Sequence, residues 1–231
     1  MKVHGSVSFS AIDTRQKLDY DRLIPTNTED SAMDKEQIWD NLLHIQTTGR
    51  DDTHADEYRY PYEPTPYTVL ERLADSGLIT QSDVVLDYGC GKGRVDCFLA
   101  HQTKAKTIGI EYDAPIYRCA LDNQRASGFP SSFVLTRAEA YDVPPSVNRC
   151  YFFNPFSQEI LHKVMARILE SYYECPREIF LFFYYPSDEY VAYLMTVDEL
   201  DFYDEIPCDD LFPGSDQRER ILIFQLPDYP Q

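Results

Sequence analysis

Apolar positions recur with two different spacings along most of this chain. Short continuous apolar runs, which predict buried strands, occur at 83–89, 106–113, 132–140, 150–156 and 177–186. Apolar residues at every third or fourth position, which predict helices, occur at 34–46, 66–78, 93–102, 114–128, 157–173 and 188–200. Two further strand-like runs follow, with only a loop between them, at 201–208 and 218–226.

The alternation of strands and helices is typical of a parallel sheet with right-handed connections and helices on both faces. The last connection is too short for a crossover, so the final two strands should form an antiparallel hairpin. We therefore expect an α/β fold with a doubly wound, mostly parallel seven-stranded sheet, an antiparallel C-terminal hairpin and a helical N-terminal extension. The extension, or cap, should cover 1–65 and the main domain 66–231.

The composition limits the classes of partner. Hydrophobic residues make up 43% of the 231 residues, which is enough for a substantial core. The 39 Asp and Glu outnumber the 21 Lys and Arg, and the net charge is −18. Such a charge repels polyphosphate, so nucleic acid is an unexpected partner, and a neutral or cationic small-molecule or protein substrate fits better. The alternative is that the acidity serves solubility alone.

Several kinds of segment and site are missing from the sequence. No apolar run reaches the roughly 20 residues of a membrane helix, so no membrane association is expected. The six cysteines and the five histidines lack metal-ligand spacing, so no metal is expected. The first residues lack the apolar core of a secretion signal. Together these features predict a reduced, cytoplasmic protein.

The stretch VVLDYGCGKGRV, at 84–95, carries the most chemistry. A buried strand ends in a glycine-rich turn before a helix, an arrangement whose backbone N–H groups favour an anionic ligand group. The spacing is G-x-G-x-G, and Arg94 stands where the dinucleotide fingerprint requires glycine, which disfavours a nicotinamide cofactor. Glu111 ends the next strand, where its carboxylate can accept hydrogen bonds from the hydroxyls of a ribose. The alternatives are a purely structural turn and a surface glutamate.

Four segments together give the chain a resemblance to the class I S-adenosylmethionine-dependent methyltransferases. They are LDYGCGKG at 86–93, the strand-end Glu111, RAEA at 137–140 and FFNPF at 152–156, and the resemblance covers about 66–226. It implies that S-adenosylmethionine is the cofactor and that it is bound by Asp87, Gly89, Cys90, Gly91, Gly93, Glu111, Tyr112, Glu139 and Ala140.

The resemblance also implies a role for each part of this set. The glycine loop would pass the methionine portion, with Asp87 near its amino group, while Glu111 would hold the ribose and Tyr112 would cover the adenine. Glu139 would accept a hydrogen bond from the adenine amino group and the Ala140 amide would donate to a ring nitrogen. The alternative for Glu139 is a solvated loop position.

The FFNPF segment is similar to the Asn-Pro-Pro-Tyr motif of methyltransferases that act on amino or amide nitrogen. This similarity implies acceptor-side roles for Asn154, Pro155 and Phe156, although the second Pro is missing and Ser157 follows. The alternative is local, with Asn-Pro ending a strand and Ser157 capping the next helix. Residues before the main domain could also line the site, or else pack the N-terminal helix onto the sheet: Tyr60, Tyr62, Thr65 and Tyr67.

The expected function is methyl transfer from S-adenosylmethionine to a nitrogen on a protein side chain or small molecule. One alternative is a nucleic-acid methyltransferase acting on adenine or RNA, which the charge of −18 disfavours. Another is a cofactor-binding protein without catalysis.

Overall fold

The computed structural model of the protein describes residues 35–50, 62–214 and 216–228. Its strands are β1 (Val84–Tyr88), β2 (Lys106–Glu111), β3 (Ser131–Leu135), β4 (Arg149–Phe152), β5 (Ile179–Tyr184), β6 (Asp201–Pro207) and β7 (Arg220–Leu226). Its α-helices are α1 (Lys35–Leu43), α2 (Tyr67–Asp75), α3 (Arg94–Thr103), α4 (Ala114–Ser127), α5 (Gln158–Glu174) and α6 (Asp188–Leu194).

Within these described residues, seven strands form one sheet in the order β3-β2-β1-β4-β5-β7-β6. The first five strands are parallel to their neighbours, whereas β7 runs antiparallel to both β5 and β6. The predicted α/β fold, with its doubly wound, mostly parallel sheet and C-terminal hairpin, is confirmed.

Strand β5 shows why the central strands are continuous apolar runs in the sequence. All six of its residues are buried, and they alternate between the two faces of the sheet. Ile179, Leu181 and Phe183 belong to the core under α5 and α6, while Phe180, Phe182 and Tyr184 face the helices α1, α2 and α3. A strand covered on both faces needs apolar residues at every position.

The N-terminal helix α1 packs into the core of the main fold. Trp39 and Leu43 are buried against α2 and α3, and the Trp39 ring lies 4.9 Å from the Phe98 ring, edge to face. The predicted helical extension is therefore confirmed from residue 35 onward. Its proposed boundary with the main domain at 65/66 stays a prediction.

Three helices, α1, α2 and α6, end at least three residues earlier than their apolar spacing predicts, and hydrogen bonds explain two of these ends. Helix α1 ends at Leu43, because His44 adopts φ 57° and the Asp40 carboxylate accepts hydrogen bonds from the N–H groups of Thr47 and Thr48. Helix α6 ends at Leu194 rather than at residue 200. There the Thr196 hydroxyl donates to the Tyr193 carbonyl, a bond that competes with continued helix.

Candidate active site

A cavity of about 460 Å3 opens at the carboxyl ends of β1, β2 and β4. The strand order reverses between β1 and β4, and in open α/β sheets ligands bind at such a switch point. Its wall is formed by the loops after these strands, the turn after β3, the segment before α2, the end of β5 and the loop that precedes β7.

The loop after β1 follows its path because two of its glycines lack a Cβ atom. A Cβ on Gly89, where φ is 79°, would lie 2.7 Å from the Cβ of Pro155, and one on Gly91 would lie 2.2 Å from the Tyr62 ring. Both residues have positive φ, which glycine adopts at little cost. The glycine loop is thereby packed between the segment after β4 and the segment before α2.

Glu111 is buried at the end of β2, and its carboxylate is bound to the backbone. Its Oε2 accepts a hydrogen bond of 3.0 Å from the Gly91 N–H, and its Oε1 accepts bonds of 2.9 Å from the N–H groups of Tyr112 and Asp113. Burial raises the pKa of Glu111, and these backbone hydrogen bonds limit the rise. Each carboxylate oxygen has two lone-pair sites, so a ligand hydroxyl can still be accepted.

Asp87 lies at the end of β1 beside a second buried carboxyl group, Asp96 of α3. The Oδ2 atom of Asp87 has no hydrogen-bond partner among the described residues. Burial, followed by the charge of Asp96, raises the pKa of Asp87 well above its usual range, while burial raises that of Asp96 to about 7. Two like charges this close do not ionise together readily, so the pair retains a proton near neutral pH.

Asn154 follows β4 in an unusual backbone conformation, with φ 42°. Its Oδ1 atom is buried and lacks a hydrogen-bond partner among the described residues, and the residue lines the cavity. Asparagine tolerates the left-handed region better than most residues. The expected local role of Ser157 is also present, because its hydroxyl accepts from the Ile160 N–H at the start of α5.

Aromatic side chains form the part of the cavity wall at the ends of β4 and β5. The Tyr151 hydroxyl is hydrogen-bonded to Thr65 at 3.0 Å, and the rings of Phe153 and Tyr184 lie 4.7 Å apart. Burial and the hydrogen bond that Tyr184 donates to Glu219 raise the pKa of Tyr184, which keeps its hydroxyl protonated.

Arg94, at the start of α3, joins the glycine loop to the N-terminal segment. Its side chain is 2% exposed, and its guanidinium pairs with Glu36 and lies 3.8 Å from Asp40. It also donates to the Thr65 carbonyl at 3.1 Å and lies over the Tyr67 ring. One buried cation therefore contacts α1, the segment before α2, and α2 itself.

The cavity brings together most of the residues predicted from the sequence. Its wall includes Asp87, Gly89, Cys90, Gly91, Glu111, Tyr112, Glu139, Asn154, Pro155, Phe156, Tyr62 and Thr65. Phe156 lines it from the core under α5, and its carbonyl accepts a hydrogen bond from Tyr190.

Three predicted residues lie away from the cavity wall, and one lies outside the described residues. Gly93 is the N-cap of α3, packed under the Phe133 ring. Ala140 is exposed, and its N–H donates to the Arg137 carbonyl within a turn. Tyr67 is fully buried and donates to Asp40, which gives it a packing position. Tyr60 lies outside the described residues.

Comparisons with known proteins identify the fold. No protein-family model matches the chain. The chain superimposes on the crystal structure of a dimethyladenosine transferase from Plasmodium falciparum with a TM-score of 0.51 and 16% identity, over 72% of this chain and 63% of that one. It also superimposes on a Pyrococcus abyssi tRNA (uracil-54, C5)-methyltransferase in complex with S-adenosyl-L-homocysteine. The TM-score is 0.51 and the sequence identity 14%, over 69% of this chain and 37% of that one. This chain has the class I methyltransferase fold.

Part of this chain is also similar in sequence to a protein of known function. Over 84 residues, 36% of the chain, it is 31% identical to a protein-lysine N-methyltransferase of Saccharolobus islandicus (strain REY15A). These residues cover 52% of that protein, so the match spans about half of the relative's length.

Several cavity residues of this methyltransferase fold were not predicted as site residues from the sequence. Arg94 follows the glycine loop directly, and a charged residue at the start of that helix was the available signal. Tyr184, Tyr185 and Glu219 lie far along the chain, and only the reversed direction of β7 brings Glu219 beside β5.

Two further observations concern groups absent from the described part of the chain. Within it, no set of His, Cys, Asp and Glu side chains is grouped as metal ligands would be. No helix in the same residues combines the length and the apolarity that crossing a membrane requires.

Proposed function

We propose that this chain is an S-adenosylmethionine-dependent methyltransferase whose acceptor is a nitrogen on a protein side chain. The observation that carries the proposal is the buried Oδ1 of Asn154, which lacks a partner among the described residues in a residue that lines the cavity. Leaving a buried polar atom unsatisfied costs roughly 1–3 kcal/mol, so such an atom in a cavity indicates that a ligand donor completes it. An N–H group of the acceptor is the donor that this position suits.

The residues at the opposite side of the cavity fit the cofactor. Asp87 Oδ2 is a second buried oxygen without a partner among the described residues, and it suits the ammonium group of the methionine portion. The glycine loop allows close approach of the backbone, and Glu111 retains lone pairs for ribose hydroxyls. When bound, the cofactor supplies an electrophilic sulfonium methyl: the acceptor nitrogen's lone pair forms the N–C bond and the C–S electron pair stays on sulfur.

The protein's own contribution to this reaction is positional. Asn154 holds the acceptor N–H, so that the nitrogen lone pair is directed across the cavity, and the acceptor's surplus proton leaves to solvent. The aromatic wall excludes water from the path between the two ligands. Alignment of this kind supplies a large part of the rate enhancement in two-substrate reactions.

Two properties of the chain favour a protein over a nucleic acid as acceptor. The net charge of −18 opposes a polyphosphate and attracts a basic protein. The partial match to a protein-lysine N-methyltransferase points in the same direction and makes lysine the side chain to test first.

Ligand binding tests the cofactor assignment. S-adenosylhomocysteine should raise the melting temperature, because a ligand that binds only the folded state stabilises it, and NAD should not. Asp87→Asn should weaken that binding by calorimetry, while Asp75→Asn, on the exposed end of α2, serves as the matched control. A shift with NAD and none with S-adenosylhomocysteine would reject the assignment.

Transfer of a radiolabelled methyl group tests the acceptor. The two acceptors are poly-L-lysine and total tRNA, with buffer alone as the blank, and label is expected in the lysine polymer. Label in the tRNA would make the chain a nucleic-acid methyltransferase. Binding of S-adenosylhomocysteine without any transfer would favour a protein that binds the cofactor without turnover.

A further inference from the structure

The reversed direction of β7 places its first residues at the edge of the sheet that carries the cavity. Tyr184, at the end of β5, pairs with Ile221, and the Tyr185 N–H donates to the Arg220 carbonyl at 3.0 Å. Glu219 immediately precedes β7 and therefore lies beside the ends of the parallel strands. It lines the cavity, far along the chain from the glycine loop.

Aromatic rings surround this part of the cavity. The wall here consists of Thr65, Tyr151, Phe153, Tyr184, Phe212 and Glu219, which we call the acceptor pocket. The faces of aromatic rings attract cations, and a desolvated site strengthens the attraction.

Glu219 supplies the charge of the acceptor pocket. The Tyr184 hydroxyl donates to its Oε2 at 2.7 Å, which fixes the carboxylate at the wall. The Oε1 atom is left able to accept a hydrogen bond from a ligand. A carboxylate among aromatic rings attracts an ammonium group and repels a phosphate.

The loop that carries Glu219 is held in place by its own contacts. Tyr185 has φ 50°, which is rare for a bulky residue, and its hydroxyl donates to Asp216 at 2.6 Å. Arg218 stacks on the Tyr185 ring and donates to its hydroxyl. Strained backbone of this kind is concentrated at functional sites.

We propose that Glu219 and the aromatic rings of the acceptor pocket bind the protonated amine of a lysine side chain before methyl transfer. This inference rests on the proposed function and deepens it, because it names the acceptor as a cation and Glu219 as the residue that selects it. Glu219 acts as a binding group: the amine gives its proton to solvent before its lone pair attacks.

Calorimetry with two small probes tests the selection in the presence of S-adenosylhomocysteine. The probes are Nα-acetyl-lysine N-methylamide and its uncharged counterpart, Nα-acetyl-norleucine N-methylamide. The wild-type protein should bind the lysine probe more tightly. Glu219→Gln should raise the Kd of the lysine probe by roughly 10- to 100-fold, the effect of losing a charged hydrogen bond, with little change for norleucine.

Matched variants separate this effect from a loss of folding. Glu205→Gln makes the same charge change in β6 of the same hairpin, outside the cavity wall, and should leave both Kd values unchanged. Tyr184→Phe removes the hydroxyl that fixes Glu219 and should raise the Kd of the lysine probe less than Glu219→Gln does. Tyr184→Phe decides the question if Glu219→Gln melts early.

The S-adenosylhomocysteine Kd of every variant distinguishes the two levels of the proposal. If the cofactor product does not bind the wild type, the proposed function fails. If it binds all variants equally but Glu219→Gln and Tyr184→Phe keep the wild-type affinity for lysine, the acceptor-pocket inference alone is overturned. Equal binding of norleucine and lysine to the wild type would overturn it as well.

Discussion

At the scale of single residues, Asn154 combines two features that are each unfavourable for stability. Its backbone lies in the left-handed region and its side-chain oxygen is buried without a partner among the described residues. A residue retained only to end β4 would need neither feature. Unfavourable local geometry in a residue that lines a cavity is typical of functional sites.

Substitution of Asn154 by glycine separates the left-handed backbone conformation from the amide oxygen of the side chain. Asn154→Gly accepts the positive φ and removes the buried, unpartnered oxygen, so the melting temperature should equal or exceed that of the wild type. Binding of S-adenosylhomocysteine should also be unchanged, while the rate of methyl transfer to poly-L-lysine should fall by at least about tenfold.

Asn154→Ala serves as the comparison, because it also removes the amide but places alanine, which tolerates the left-handed region less well than asparagine or glycine, at this position. That conformation costs about 1–2 kcal/mol, so this variant alone should melt earlier. Normal transfer by the glycine variant would show that the amide has no part in the reaction.

The buried pair of Asp87 and Asp96 should make stability depend on pH. The pKa of Asp96 is about 7, above the usual value for aspartate, so the folded state binds more protons than the unfolded state between roughly pH 4 and pH 7. The free energy of unfolding therefore falls as pH rises through this window. The raised pKa of Asp87 adds to this fall. Asp96→Asn removes the charge and should raise the melting temperature more at about pH 8.5 than at about pH 5.

Melting curves of the free protein across this pH range measure the effect. Asp75→Asn is again the control, since Asp75 is exposed and should give a small, constant difference. A stabilisation by Asp96→Asn that is the same at both ends of the range would contradict the assignment.

At the scale of elements, Arg94 makes the N-terminal helix part of the site. Helix α1 supplies Glu36 and Asp40 to the guanidinium, and Glu36 also accepts from the Tyr67 N–H at the start of α2. Burial alone would raise the pKa of Asp40, but hydrogen bonds from Thr47 and Tyr67 and the charge of Arg94 lower it below its usual value. This network holds the segment before α2 over the glycine loop.

Removing the cation should leave buried carboxylates without their partner. Arg94→Met keeps much of the side-chain volume and should lower the free energy of unfolding by about 3–5 kcal/mol. Lys35→Met removes the ion pair between Lys35, which is 36% exposed, and Glu71. This change should lower the free energy of unfolding by roughly 0–1 kcal/mol. Urea denaturation followed by far-UV circular dichroism measures both, and equal losses would show that burial of Arg94 adds nothing.

The helix ends show where prediction from the sequence stops. Apolar spacing located α4 closely, because Asp113 caps its start and Gly128 takes the left-handed conformation at its end. The same spacing placed the ends of α1 and α6 too late. There the Asp40 carboxylate accepts from the Thr47 N–H and the Thr196 hydroxyl donates to the Tyr193 carbonyl, and these bonds end the helices. Such bonds depend on which atoms meet in space, and apolar spacing carries no information about them.

At the scale of the whole molecule, sheet topology was predictable because each strand and helix is local in sequence and few chain paths join them. The part of the cavity formed by the glycine loop and Glu111 was predictable for the same reason, since the loop follows β1 and Glu111 ends the neighbouring strand β2. The acceptor pocket was not, because it collects residues from the segment before α2, β4, β5 and the start of β7. Only the assembled sheet brings Thr65, Tyr151 and Glu219 together.

The position of Trp39 also gives the protein a built-in optical reporter. It is the one tryptophan of the sequence, 2% exposed on α1 between Phe98 and Tyr67. Its neighbour His101, whose pKa is lowered to about 4 by burial and by Lys104, stays uncharged at neutral pH and does not disturb the signal. The wavelength of tryptophan emission therefore reports the entry of water between α1 and α3. A red shift of this emission that precedes the loss of circular dichroism would record α1 leaving an intact sheet.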